Sequence, residues 1–149
     1  YPDAVFWLVG PFDSNPSAID QSTVERWQAE GIIEYLGETQ DVRPYIAQSS
    51  VYVLPSYREG TPRSVLEAMA MGRPIITTDA PGCRETVVDG RNGYLVPVRD
   101  VERLAEAMEK FILFPYLITD MGEESWRIAV EKYDVNKVNA VILSTMGLL

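Results

Sequence analysis

The sequence predicts an α/β fold, a mostly parallel Rossmann-like sheet flanked by helices. Three observations predict it. Short apolar runs alternate with stretches of helical periodicity, the pattern of βαβ units. The runs are apolar throughout rather than alternating, as in strands covered on both faces. Several of them end at a glycine or proline, where the chain must turn. The chain has 149 residues, within the range of ~100–200 residues usual for one domain. It shows no internal repeat, low-complexity tract or linker, so residues 1–149 read as a single domain.

The elements follow in order along the chain. Ala4 to Val9 is a near-continuous apolar run that stops at Gly10, a buried strand with Trp7 in the core. Turn formers come next: Pro11, Asp13, Ser14, Asn15, Pro16 and Ser17. Val24 to Glu30 is a short helix closed by Gly31, and Ile32 to Leu36 a second strand ending at Gly37. Val42 to Ser49 has helical spacing, and Val51 to Leu54 is a third strand ending at Pro55. Residues 62 to 71 form a helix with Gly72 as its C-terminal stop. Pro74 to Thr78 and Tyr94 to Val96 are the fourth and fifth strands. Asp100 to Phe114 is an amphipathic helix interrupted by Pro115, and further helices cover 116 to 132 and 135 to 146. Trp27 and Trp126 fall on helices, where apolar packing is the default. Phe111, Phe114 and Tyr116 read as a packed helix junction around Pro115.

Charge narrows the partners. Thirteen Lys and Arg against 22 Asp and Glu give a net charge of −9. An acidic chain repels phosphate backbones and anionic bilayers, which argues against nucleic acid and against direct membrane insertion. No apolar run approaches the ~20 residues of a membrane span. A small phosphate-bearing ligand remains open, because backbone amides can bind one locally. Histidine is absent, which excludes a Ser-His pair or a His metal ligand within the chain. No metal-ligand cluster is seen. Cys83 has no partner for an internal disulfide and reads as a bystander in a turn.

In parallel sheets of this kind, ligands bind beyond the carboxyl ends of the strands. The segment after the third strand, Pro55-Ser56-Tyr57-Arg58-Glu59-Gly60-Thr61-Pro62-Arg63-Ser64-Val65-Leu66-Glu67, carries the densest chemistry. Gly60 permits a close approach to a ligand or a positive φ. Thr61 reads as the N-cap of a helix and Pro62 as its first residue. The free amides there favour a phosphate. Glu67, inside the helix, and Glu59, in the loop, can then meet hydroxyls on a sugar attached to it. Arg58 and Arg63 flank this region. Arg84, near a strand end, reads as a surface residue, with contact to substrate as the alternative.

Glu59 and Glu67, with seven residues between them and Gly60 and Pro62 inside, resemble the Glu-x7-Glu motif of retaining glycosyltransferases of family 4, which have the GT-B fold. The resemblance runs on through Glu67-Ala68-Met69-Ala70-Met71-Gly72-Arg73-Pro74 and Asp89-Gly90-Arg91-Asn92-Gly93-Tyr94. Asp79-Ala80-Pro81-Gly82-Cys83-Arg84-Glu85 is similar to bacterial members that build capsule, O-antigen or lipid-linked glycans. The resemblance implies that Glu59 contacts the donor sugar and Glu67 the ribose. Gly60, Thr61, Pro62 and Arg63 would line the sugar and phosphate region, and Gly37 and Glu38 would border the base. It implies a UDP-sugar donor, a hexose or N-acetylhexosamine, with a GDP-sugar as competitor, and no metal or other cofactor.

By the same resemblance, this is a C-terminal donor-binding half that starts at its second strand. The strand and helix carrying a Gly-Arg pair and a Lys, which clamp the donor diphosphate, are then absent, as is the N-terminal acceptor domain. Lysine appears only at Lys110, Lys132 and Lys137, too late to substitute. The expectations that follow are an isolated chain without activity and a homo-oligomer formed through exposed strand edges. A cytoplasmic location, with a parent docked on the membrane, is also implied. Rivals are weaker. No Gly-x-Gly-x-x-Gly follows a strand, as a dehydrogenase needs, and a P-loop is lacking. Were both glutamates helical, eight residues would set them ~12 Å apart along the axis, too far for a glycosidase pair; with Glu59 in a loop this argues only weakly against hydrolysis. The alternative is a non-catalytic Rossmann-like binding or interaction module.

Overall fold

The structure is a computed structural model that describes residues 1–15 and 18–148. Pro16 and Ser17, read as turn formers, lie outside the described residues. Among the described residues, five strands and six helices succeed one another: β1 (Trp7–Leu8), α1 (Gln21–Ala29), β2 (Glu34–Tyr35), α2 (Arg43–Gln48), β3 (Tyr52–Leu54), α3 (Arg63–Ala70), β4 (Ile75–Thr78), β5 (Gly93–Val96), α4 (Val101–Leu113), α5 (Tyr116–Lys132) and α6 (Val135–Thr145). Every strand pairing is parallel. The chain divides into two compact units, Tyr1–Val42 and Arg43–Leu149.

In the first unit, β1 lies beside β2 with Trp7 opposite Glu34 and Leu8 opposite Tyr35. Asp20 caps α1 by accepting from the Thr23 amide. The hydroxyl of Ser22, then the amide and hydroxyl of Thr23, hold the Asp20 carboxyl down at about 2. Val24 is buried. The run Val5, Phe6, Trp7, Leu8 is exposed, not core as its composition predicts. The ladder here is two residues long and β1 is paired along one edge only. Trp7 turns its indole N–H to the Glu34 carboxylate at 2.8 Å, the polar end of an amphipathic ring finding a partner at the surface.

The second unit is built on the sheet β3-β4-β5. Tyr52, Ile75 and Gly93 stand in one row, and Leu54, Thr77 and Leu95 in another. All four residues of the central strand β4 are buried. Ile76 and Val96 of the sheet join Ala107 and Phe111 of α4 and Met121 of α5 in one cluster, with Val53, Tyr94 and Leu104 around it. Burial of this kind contributes ~25 cal/mol per Å² of apolar surface. Phe111 meets Tyr94 edge-on, with ring centroids 5.5 Å apart. The expected aromatic junction is split: Phe111 packs on Tyr94, while Phe114 and Tyr116 meet edge-on across Pro115 with ring centroids 6.2 Å apart. Phe114 sits at the C-cap of α4, where the chain leaves the helix, and both it and Tyr116 are exposed. Trp126 is also exposed rather than packed. The buried stripe of α5 runs through Met121, Gly122, Ser125 and Ala129, and Trp126 lies one residue off it. Asp134 caps α6 by accepting from the amides of Asn136 and Lys137, and α6 buries none of its residues. Among the described residues, no helix is long and apolar enough to cross a membrane.

One close approach sets how α5 meets the end of α3. A Cβ at Gly122 would stand 2.3 Å from the carbonyl oxygen of Gly72, so the helix backbone rests directly on the turn that stops α3. Gly122→Ala should therefore cost about 1–3 kcal/mol, the usual range for overpacking. Urea unfolding would measure it, and a variant as stable as the parent would contradict the close packing.

Candidate functional site

The loop after β3 is held from below by β4. Thr77 and Thr78 are both buried. Thr77 donates to the Leu54 carbonyl at 2.8 Å, and Thr78 donates to the Ser56 carbonyl. The loop after β4 then meets the loop after β3. The Glu59 amide donates to the Pro81 carbonyl at 3.0 Å. Gly82, with φ +83, lies so close that a Cβ there would be 1.9 Å from the Gly60 oxygen and 2.2 Å from the Glu59 oxygen. Only glycine fits both the conformation and the gap.

This overturns the positive-φ alternative for Gly60. Gly60 is not among the residues with positive φ, and a Cβ on it would meet nothing within 4 Å. The demanding glycine is Gly82, in the facing loop. The signal for it was the Pro81-Gly82 dipeptide after a strand, which marks a turn but not what the turn touches.

The helix start is one residue later than expected. Pro62, not Thr61, is the N-cap of α3, with φ −70 and ψ 113, and Arg63 is the first helical residue. The Pro62 carbonyl accepts from the amides of Val65 at 3.0 Å and Leu66 at 3.2 Å. Proline's fixed φ suits an extended cap as well as a first turn, so the ring does not decide between the two. Thr61 is exposed in the loop. A proline cap has no side chain to give to the first-turn amides. The aspartates Asp20, Asp100 and Asp134 do supply one at α1, α4 and α6, whereas α5, which follows Pro115, is likewise without.

Glu67 is the fifth residue of α3, about 6 Å along the axis from the first. Its Oε1 accepts from Arg63 Nε at 3.1 Å. The Arg63 side chain is 91% exposed, and an ion pair so open to water adds little stability. Glu59 remains in the loop, half-buried, and its Oε1 accepts from the Ser56 hydroxyl at 2.6 Å. Tyr52 stands at the start of β3. Its phenol donates to Ser64 Oγ at 2.8 Å. Burial pushes its pKa above the ordinary value, the Ser64 bond opposes this, and the charges of Glu67 and then Glu59 raise it further. The fold thus places both glutamates within electrostatic reach of one phenol.

Other residues take simpler places. Arg58 is exposed. Arg84 pairs with Asp79 at 2.8 Å, and Cys83 is buried. Arg99, in the turn after β5, has φ 63, the one positive φ outside glycine among the described residues. Its guanidinium lies 5.2 Å from the centre of the Tyr57 ring. Gly37 and Glu38 belong to the unit Tyr1–Val42. There the Gly37 carbonyl accepts from the Gly10 amide at 2.9 Å and the Tyr35 hydroxyl donates to the Gly10 carbonyl at 2.8 Å. The loops that follow β1 and β2 are so joined, with Glu38 exposed. Sequence reasoning missed Ser56, Tyr52, Ser64, Thr78 and Arg99, because their roles depend on neighbours far along the chain.

With this geometry in view, the comparisons decide the family. The profile of the glycosyl transferases group 1 matches residues 1–113. The chain belongs to this family. It is 31% identical over 139 residues to an uncharacterized glycosyltransferase of Haemophilus influenzae, covering 93% of this chain and 38% of that protein. It is 32% identical over 133 residues to the N,N'-diacetylbacillosaminyl-diphospho-undecaprenol α-1,3-N-acetylgalactosaminyltransferase of Campylobacter jejuni, covering 89% of this chain and 34% of that one. The crystal structure of Anabaena HepE in complex with UDP-glucose superposes with a TM-score of 0.82 at 25% identity, covering 100% of this chain and 42% of that chain. The chain therefore spans between about a third and two-fifths of the length of the proteins it matches. Its parallel, helix-flanked sheets are those of the C-terminal half of a GT-B glycosyltransferase.

The raised pKa of Tyr52 has a consequence for stability. Above the ordinary phenol value of 10.0, the unfolded chain loses this proton before the folded one does. The folded state then binds more protons, so stability falls as pH rises. Urea unfolding from about pH 9 to about pH 11 should show a smaller loss in Tyr52→Phe than in the parent. Equal losses would mean that Tyr52 is not held neutral.

Proposed function

We propose that this chain is the donor-binding part of a retaining glycosyltransferase that uses a UDP-sugar, with a hexose or N-acetylhexosamine as the transferred group. The observations that carry the reading are Glu59 in the loop beyond the carboxyl end of β3, Glu67 inside α3, and between them a helix start whose first-turn amides receive no side-chain cap. Likeness to a protein solved with UDP-glucose supports it. In this reading Glu67 accepts hydrogen bonds from the ribose hydroxyls, and Glu59 from hydroxyls of the donor sugar. The first amides of α3 and the peptide around Gly60 and Thr61 face the diphosphate, helped by the helix dipole. Pro62 has no amide hydrogen to give, and Arg63 holds Glu67.

Chemically the task is positioning and charge stabilisation. The bond from the sugar to the diphosphate breaks, and the acceptor oxygen joins the same carbon with its configuration retained. Carboxylates that fix the sugar's hydroxyls hold that carbon in place for attack. Donors at the diphosphate stabilise the charge that gathers on it as it leaves. The acceptor is a glycan or a lipid-linked glycan, supported by the acceptor named for the Campylobacter relative. It binds in a separate acceptor domain of the larger protein, and the chain alone transfers no sugar. A cytoplasmic site follows from the nucleotide donor.

An NMR titration of the chain with UDP, GDP and ADP tests the reading. Saturable shifts with UDP, weakened about tenfold or more in Glu67→Ala, are expected from the loss of a charge-assisted hydrogen bond worth ~1.5–3 kcal/mol. Preference for GDP would change the donor. A mutant that binds as tightly as the parent would remove Glu67 from the ribose.

A further inference from the structure

Glu59 does not hold itself. It sits in a loop, where a glutamate has many rotamers and loses side-chain entropy in adopting one. One neighbour narrows the choice. Ser56 Oγ lies 2.6 Å from Glu59 Oε1, a short distance typical of a hydroxyl donating to a carboxylate. Two residues of loop, Tyr57 and Arg58, lie between Ser56 and Glu59, and the backbone of Ser56 is tied down. The Ser56 carbonyl accepts from Thr78, which is buried in the central strand. The Glu59 amide is tied to Pro81, and Gly82 walls the peptide behind it. The backbone of both residues is therefore anchored to β4 and the loop after it, and the side chains meet across a short span. Oε1 is engaged, while Oε2 accepts no hydrogen bond among the described residues and stays available for a ligand.

Glu67 is held differently. Its partner Arg63 lies one helical turn away on its own helix, and no contact joins Ser56 to it. The two acids are thus oriented by separate devices, one anchored in the sheet and one within α3. We propose that Ser56 is a positioning residue for the sugar half of the donor: it fixes the Glu59 carboxylate against β4, and it leaves the nucleotide half untouched. This rests on the reading of Glu59 as the sugar-binding acid.

The test compares UDP with UDP-glucose, measured by calorimetry on the chain and on Ser56→Ala, Ser56→Thr and Glu59→Gln. A positioning role predicts that Ser56→Ala binds UDP as the parent does but loses about five- to tenfold in affinity for UDP-glucose, of the order of one hydrogen bond. Ser56→Thr, which keeps the hydroxyl, should restore it. Equal weakening for UDP and UDP-glucose would show damage to the whole loop and overturn the proposal. Full UDP-glucose affinity in Ser56→Ala, with loss in Glu59→Gln, would overturn it and leave Glu59 in its role. Full affinity in Glu59→Gln as well would instead remove Glu59 from the sugar, and the proposal with it. A crystal structure of Ser56→Ala gives a readout that needs no ligand. The Glu59 carboxylate should leave its place, and an unmoved carboxylate would overturn the proposal.

Discussion

The contact between Gly82 and the peptide of Glu59 and Gly60 is the constraint on which the rest of the site depends. Two loops that follow neighbouring parallel strands are pressed together until no Cβ fits between them. The amide of Glu59 is spent on the same contact, through Pro81. Closeness of this kind fixes a backbone more firmly than side-chain packing, because a peptide has no rotamers to relax into. What remains adjustable is the carboxylate of Glu59 and the exposed residues around it.

That contact in turn requires the sheet. β4 lies between β3 and β5, and its four side chains are buried. Apolar Ile76 faces the cluster formed with α4 and α5, while Thr77 and Thr78 use their hydroxyls on the neighbouring chain. A buried hydroxyl without a partner is costly, and here each one ties down the end of β3 or the start of its loop. The threonines serve burial and positioning together. The chemistry then lies where parallel sheets leave room for it, beyond the carboxyl ends of the strands. The loops after β3, β4 and β5 all reach this edge, the last through Arg99 over Tyr57.

Much of the fold was legible in the sequence. Apolar runs ending in glycine or proline located the strands, and the stops at Gly31 and Gly72 located two helix ends, because those signals are local. The placing of Glu59 in a loop and Glu67 in a helix came from the same local rules. Burial was less legible. Trp7 reads as core by composition, yet burial needs partners on both faces, which composition does not count. Trp126 differs from the buried Ser125 only by one step around a helix. The start of α3 slipped by one residue because proline suits both the cap and the first turn. Gly60 and Gly82 show the sharpest limit. Both are loop glycines after strands, and only the three-dimensional contact reveals that Gly82 is the one that cannot be replaced. Ser56 has no spacing that marks it, since its role lies in which carboxylate it reaches.

In the proposed reading the two halves of the donor meet acids with separate supports, Glu59 held by Ser56 and Glu67 by Arg63. The most direct measurement is a crystal structure of the chain with UDP-glucose. The account predicts ribose hydroxyls within hydrogen-bond distance of Glu67, and glucose hydroxyls within reach of Glu59 Oε2 while Oε1 stays on Ser56. A nucleotide bound with both carboxylates out of its reach would contradict it.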